Sequence, residues 1–146
     1  MRRFIASGFG LGLLPRRLRA SDAGAGTVGA FGAAGLSAVL WAAPVWFEIL
    51  IAAVFVAGSV WATAPFADDP GWVTIDEQAG VLIAFVGLSG VPWVVAFVVF
   101  RLADIFKQTP GVGAAERLPG GWGITGDDVV AGFYGLAAGW AVTLLM

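Results

Sequence analysis

The chain has 146 residues and a formal net charge of -2; 59% of its residues are hydrophobic and its mean hydropathy is +0.88. That is too apolar for an ordinary soluble domain and fits a membrane-embedded helical protein of one domain, residues 1–146, with no electrostatic footprint for nucleic acid. It contains no Cys and no His, which excludes disulfides, thiolate nucleophiles, Cys/His zinc sites and histidine acid–base chemistry, and leaves carboxylates, Arg, Lys and hydroxyls, with or without a hard cation.

The N-terminal stretch "MRRFIASGFGLGLLPRRLRASD" has the basic start of a signal peptide. Gly8, Gly10 and Gly12 interrupt its apolar run, and Pro15-Arg16-Arg17 stands where a small-residue cleavage site belongs. This pattern predicts a glycine-rich or interfacial segment retained on the protein. The first apolar span runs from about Thr27 to Ala43 and is rich in small residues, which suits close helix packing. The second runs from about Trp46 to Ala64, with only Pro44 and Val45 between them, so the two form an antiparallel pair. Glu48 near its start reads as a snorkelling side chain. The last span covers about Val129 to Met146.

The region from Gln78 to Phe100 is long enough to cross about 30 Å of hydrocarbon once. "LSGVPW" at 88–93 interrupts it with a turn signal. Charge favours a helical hairpin, within about residues 78–107, over a single kinked span. Arg2, Arg3, Arg16, Arg17 and Arg19 precede the first span, and Arg101, Lys107 and Arg117 follow the disputed region. A hairpin puts all eight on one face, which the positive-inside rule makes cytoplasmic. It also gathers every carboxylate except Glu48 there. Its first limb, 78–88, rises only about 16 Å and needs shielding by protein or a thinned bilayer. The expected fold is thus all-α, a polytopic membrane bundle with short helices or a hairpin.

Three polar clusters share that face: "DDPGWVTIDEQAG" with Asp69, Asp76 and Glu77; "FRLADIFK" with Arg101, Asp104 and Lys107; and "GGWGITGDD" with Asp127 and Asp128. On a helix, Arg101, Asp104 and Lys107 fall on one stripe. Both acidic pairs stand where a helix is expected to begin, a position that suits carboxylates as caps and attracts phosphate. Carboxylates from three segments could hold Mg²⁺, and Arg101 and Lys107 could grip phosphate.

Together the clusters resemble the phosphatidylglycerophosphatase A family of bacterial membrane lipid phosphatases. The matching stretches are "SGFGLG" at 7–12, "GTVGA" at 26–30, "DPGWVTIDEQAG" at 69–80, "FRLADIFKQTP" at 100–110 and "GGWGITGDDVVAG" at 120–132. The resemblance implies an Mg²⁺-dependent enzyme of phospholipid biosynthesis in the bacterial inner membrane, multi-pass, with its active site facing the cytoplasm. It would convert phosphatidylglycerol phosphate to phosphatidylglycerol and phosphate. Carried over by position, the catalytic and metal-binding residues are Asp76, Glu77, Asp104, Asp127 and Asp128, with Asp69 as a further acidic candidate. Arg101, Lys107 and Thr27 would bind phosphate. Departures from the family pattern are Ala25-Gly26-Thr27 for Pro-Gly-Thr, the inserted "RRLRASDAG", Lys107-Gln108-Thr109-Pro110 for Lys-Pro-Trp-Pro, and Ala103 for a Phe. They change packing residues and keep the charges.

Without Cys or His, the hydrolysis is left to metal-activated water, the preferred route, or to an aspartyl nucleophile. Which carboxylate is the general base stays open, as do the number of ions and the oligomeric state. The competing reading is a non-enzymatic cation transporter or assembly subunit, but a cation path needs polar residues at mid-membrane and the spans carry almost none. An alcohol phosphotransferase would need a clustered aspartate-rich motif that the chain lacks.

Overall fold

A helix of ten residues rises about 15 Å, half the hydrocarbon depth of a bilayer, and is stable there only when other protein surrounds it. Residues Ile75–Ala84 meet that condition in the computed structural model, which describes residues 1–106 and 108–146; Lys107 lies outside the described residues. Nine of the ten are buried and only Glu77 is partly open. In chain order the helices are α1 (Arg2–Ala6), a 3₁₀ turn (Leu11–Leu13), α2 (Leu14–Arg19), α3 (Ala25–Leu40), α4 (Val45–Thr63), α5 (Ile75–Ala84), α6 (Gly90–Ile105), α7 (Val112–Ala115) and α8 (Gly121–Leu145). The described residues contain no strand, as the composition implied.

Two helices, α4 and α8, are long and apolar enough to cross a membrane; α3 is a shorter apolar helix. The disputed region is a hairpin. α5 enters the bundle, the chain turns over Phe85–Ser89, and α6 returns. Gly80 lies against Asp128 and Phe100, while Leu88 and Pro92 lie against Gly139. α5 is therefore parallel to α8 and α6 antiparallel to it. The turn needs left-handed backbone at Gly87 (φ 69°) and Gly90 (φ 63°). Pro92 falls in the first turn of α6, where its missing N–H costs no helix bond. Glu48 completes the turn: its carboxylate accepts a 2.7 Å hydrogen bond from the Gly87 N–H.

The expected spans 27–43 and 46–64 correspond to α3 and α4. The last helix begins at Gly121, eight residues before Val129, so Asp127 and Asp128 lie in its second turn and not at its start. Helix propensity reads "GGWGITG" as loop, because glycine is a poor helix former. Tertiary contact overrides it. A Cβ at Gly121 would collide with the Val60 carbonyl, one at Gly123 would collide with the Leu118 carbonyl, and Thr125 meets Ser59 at 2.7 Å.

Glycines also set how closely α5 is enclosed. A Cβ on Gly132 of α8 would come within 2.5 Å of the Gly80 carbonyl oxygen, and one on Gly29 of α3 within 2.6 Å of Thr74 Cβ. At Gly80 and Gly132 the α5 and α8 backbones touch. We expect Gly132→Ala to force them apart at a cost of about 1–3 kcal/mol, visible as a lower melting temperature in detergent. Gly58→Ala, on α4 with open space at its Cβ, should melt no lower than the parent; equal melting of both variants would contradict the close approach.

Candidate active site

Asp128 lies level with Gly80, the sixth residue of α5, so α5 and α8 begin within about 3 Å of the same level. The start of α5 is enclosed by α8, the foot of α6 and the first turn of α3. The N-terminal segment closes another side: the Thr74 N–H donates to the Ala6 carbonyl (3.0 Å), and the 3₁₀ turn packs Gly12 against Thr74.

The carboxylates stand at the end of the bundle where basic residues gather. Arg2 sits over the Trp61 ring and Arg3 over Trp72, at 4.7 and 5.2 Å to the ring centroids. Arg16 is 3.9 Å from Asp22. Arg101, near the foot of α6, forms a 2.6 Å ion pair with Asp104 one turn on. The charge separation expected of a hairpin is thus realised among the described residues, with Glu48 at the opposite end beside the turn. The position of Lys107, expected on the Arg101 stripe, falls outside the described residues.

Asp76 and Glu77 occupy the first turn of α5, as expected. Asp76 is buried, and its Oδ1 accepts the Glu77 N–H at 3.0 Å. Burial pushes the Asp76 carboxyl well above the usual carboxylate range, and the adjoining Glu77 and Asp69 push it further. Burial also raises Glu77, from its ordinary 4.5 to about 7, partly offset by its hydrogen bond with Asp76. Glu77 reaches across to Gly26 in the first turn of α3, where no Cβ would fit beside its Oε1. Thr27 follows Gly26 in this first turn.

Asp127 and Asp128 part company. Adjacent helical residues differ by about 100°. Asp128 is buried, within electrostatic reach of Asp76, Asp104 and Glu77. Asp127 lines a separate polar cavity of about 190 Å³ with Asp68, Asp69 and Glu116. Asp69 is exposed at its rim, yet close enough to act on Asp76 and Glu77. The site is thus one carboxylate group, Asp76, Glu77, Asp104 and Asp128, with an acidic antechamber beside it holding Asp69 and Asp127.

Two carboxylate oxygens in the inner group, Glu77 Oε2 and Asp128 Oδ1, are buried with no hydrogen-bond partner among the described residues. Buried anionic oxygens are costly unless a donor or cation meets them. Their all-oxygen chemistry suits a hard divalent ion, so the residues fit one. No three acidic side chains among the described residues stand close enough to enclose an ion by themselves.

A sequence-family model described as phosphatidylglycerophosphatase A matches residues 4–143. The chain belongs to that family. A Haemophilus influenzae protein named phosphatidylglycerophosphatase A is 33% identical over 68% of this chain and 66% of its own length. A Bacteroides thetaiotaomicron protein, provisionally named a phosphatidylinositol-3-phosphatase, is 32% identical over 89% of this chain and 86% of its own. No solved structure matches the chain. As a phosphatidylglycerophosphatase A family member the protein is an enzyme, a lipid phosphatase, and its apolar helices fit a membrane location.

Sequence reasoning missed two participants in this phosphatidylglycerophosphatase fold. Gln78, next to Glu77, is buried and donates weakly to the Gly8 carbonyl (3.5 Å); its signal was a polar residue directly after an acidic pair. Gly26 makes room for Glu77, and only its place in "GTVGA" marked it.

The raised Glu77 carboxyl predicts how stability depends on pH. The unfolded chain releases that proton near pH 4.5 and the folded chain near 7, so the folded state holds more protons between them. Stability should therefore fall as pH rises through this window when divalent ions are chelated. Mg²⁺ should raise the melting temperature more at pH 8 than at pH 5, measured in detergent with EDTA as reference. Glu77→Gln should flatten the slope; an unchanged slope would contradict the assignment.

Proposed function

We propose that the protein hydrolyses the terminal phosphate monoester of phosphatidylglycerol phosphate, releasing phosphate and phosphatidylglycerol for phospholipid synthesis at the cytoplasmic membrane face, with Mg²⁺ as cofactor. The observation that carries this is the pair of unmatched, buried oxygens on Glu77 and Asp128, set beside an arginine at the charged end of an apolar bundle. The family match and the Haemophilus relative support the substrate.

Mg²⁺, when bound, would offset charge on the phosphate oxygens and acidify the attacking water. One or two carboxylates from among Asp76, Glu77, Asp104 and Asp128 would hold it, with phosphate and water completing the shell. Arg101 binds and orients the phosphate. A guanidinium offers five donors, so the ion pair with Asp104 fixes its direction and leaves capacity for a two-oxygen grip. Burial excludes bulk water from Asp76 and Glu77, and their raised proton affinity suits one of them to take a proton from water near neutral pH. Asp127 and Asp69, in the adjoining cavity, hold incoming cations or the leaving phosphate's counter-ion.

A second reading, hydrolysis of a phosphoinositide monoester, draws on the name of the Bacteroides relative. Phosphate release from the purified protein in mixed micelles, with phosphatidylglycerol phosphate and a phosphatidylinositol monophosphate side by side, separates the two. We expect the first substrate to be preferred and EDTA to abolish turnover until Mg²⁺ is restored; full turnover in excess EDTA would overturn the metal role.

Variants locate the chemistry. Asp128→Asn should fold and lose about 100-fold or more in rate, as expected when charge at a metal site is removed. Asp127→Asn should lose less, because it faces the outer cavity. Arg101→Lys keeps the charge yet should lose about tenfold or more, because lysine has no fork. Near-normal rates in Asp128→Asn and Arg101→Lys would remove the inner group from the mechanism.

A further inference from the structure

The substrate's phosphate must reach Glu77 while its acyl chains stay in the membrane, so the bundle needs a sideways opening. Around α5, α6 and α4 both pack on α8, and the N-terminal helix α1 packs on α4. α3 packs closely on α5 but on neither α4 nor α6, which leaves a seam on each of its sides. Across the seam toward α6 the two helices meet through side chains: Phe31 on Phe97 (5.4 Å between ring centroids), Trp41 on Trp93 (5.9 Å), and Trp93 Nε1 donating to Ser37 (3.2 Å).

Helical spacing organises the two walls of this seam. On α6, Trp93, Phe97, Arg101 and Asp104 recur every three or four residues and share one stripe. On α3, Thr27 and Phe31 stand one turn apart on the side toward α6. Each wall is aromatic toward the far end and polar toward the inner carboxylates. Between them lies Glu77, the one residue of α5 that is not buried, with its unpartnered Oε2. The seam therefore has the polarity of a phospholipid: a cation and an anion-lined floor at the level of Arg101, and aromatic rings one turn deeper in the membrane.

We propose that the α3–α6 seam is the lateral portal through which the lipid monoester enters, with Phe31 and Phe97 as the gate and the first binding surface for the glycerol and ester region. This rests on the lipid-phosphatase reading above. Phe31 is 62% exposed, so its ring can swing outward into the membrane without breaking buried packing. Phe97 stays behind it, against Phe85 (6.0 Å) in the layer formed with Trp93. The ring pair keeps the inner carboxylates closed to hydrocarbon until a phosphate headgroup arrives to meet Arg101.

Two other openings border α5. One is the wide groove between α4 and α8, about 810 Å³, which includes Ala53 and Phe133; the other is a cleft of about 310 Å³ between α3 and α4, which includes Phe55 and Gln78. Neither lining carries a charged residue or any of the inner carboxylates. They accept acyl chains but offer no charge to a phosphate.

The absence of cysteine makes the test direct. Phe31→Cys with Phe97→Cys is joined by a short bis-thiol reagent that reduction cleaves, and Ala53→Cys with Phe133→Cys is treated alike as the comparison. Closing the α3–α6 pair should cut hydrolysis of phosphatidylglycerol phosphate by about tenfold or more against the same protein before linking, with recovery on cleavage. Closing the α4–α8 pair should change it less than about twofold. The reverse pattern, or no loss from the α3–α6 link, overturns the portal. A second readout needs no turnover: phosphatidylglycerol phosphate carrying a diazirine on the first acyl carbons is photolysed with the parent protein, and adducts are mapped by mass spectrometry. Adducts within 27–31 and 93–97 are expected, and adducts concentrated at Trp61, Trp122 or Phe133 overturn the portal. A parent protein that labels at the seam but hydrolyses no lipid monoester would refute the functional reading and leave the binding portal standing.

Discussion

A ten-residue helix cannot cross a bilayer, and one that begins with two carboxylates cannot face lipid. Both statements hold for α5, and the rest of the structure follows from them. Helices on every side must come close enough to replace lipid, so their contact positions are glycine, alanine, serine and threonine. Gly80 against Gly132, and Gly29 against Thr74, bring backbones to distances at which any side chain would intervene. In hydrocarbon there is no hydrophobic force between helices, and such close packing is the main attraction available. The short helix is thus both the least self-sufficient element and the one that defines the positions of the others.

Its shortness also makes the site. Because α5 is short and enclosed, its first turn brings Asp76 and Glu77 between α8, the foot of α6 and the first turn of α3. Asp76 is removed from bulk water there, while Glu77 stays partly open. Burial raises the proton affinity of Asp76 and Glu77, and the same desolvation strengthens any cation or guanidinium contact they make. Glu48, the one carboxylate at the other end, serves only the fold, by capping the Gly87 turn.

Much of this was legible in the sequence. The hairpin followed from the Ser-Gly-Val-Pro interruption and the placement of eight basic residues, and the two first spans agree with α3 and α4 to within a few residues. The start of α8 was not legible. Glycine in "GGWGITG" reads as loop when only local preference counts, and the contacts that make it helical come from Val60 and Thr63, about sixty residues away. That error carried Asp127 and Asp128 to a helix start, when they lie a turn further in, Asp127 on the outer cavity and Asp128 among the inner carboxylates. The separation of α3 from α6 was also hidden, because a gap between helices is a property of pairs and leaves no periodic mark on either strand of sequence. Thr27 and Arg101 were singled out as phosphate ligands; that they stand on opposite walls of one seam required the fold.

Synthesis proceeds from the N-terminus, and the helix that contacts both limbs of the hairpin, as well as α4, follows all of them in the chain. Until α8 is made, α5 has one side uncovered, and its Asp76 and Gln78 have no completed enclosure. A ribosome that stops before α8 would release a chain with Asp76, Glu77 and Asp104 in its sequence and no enclosed carboxylate group.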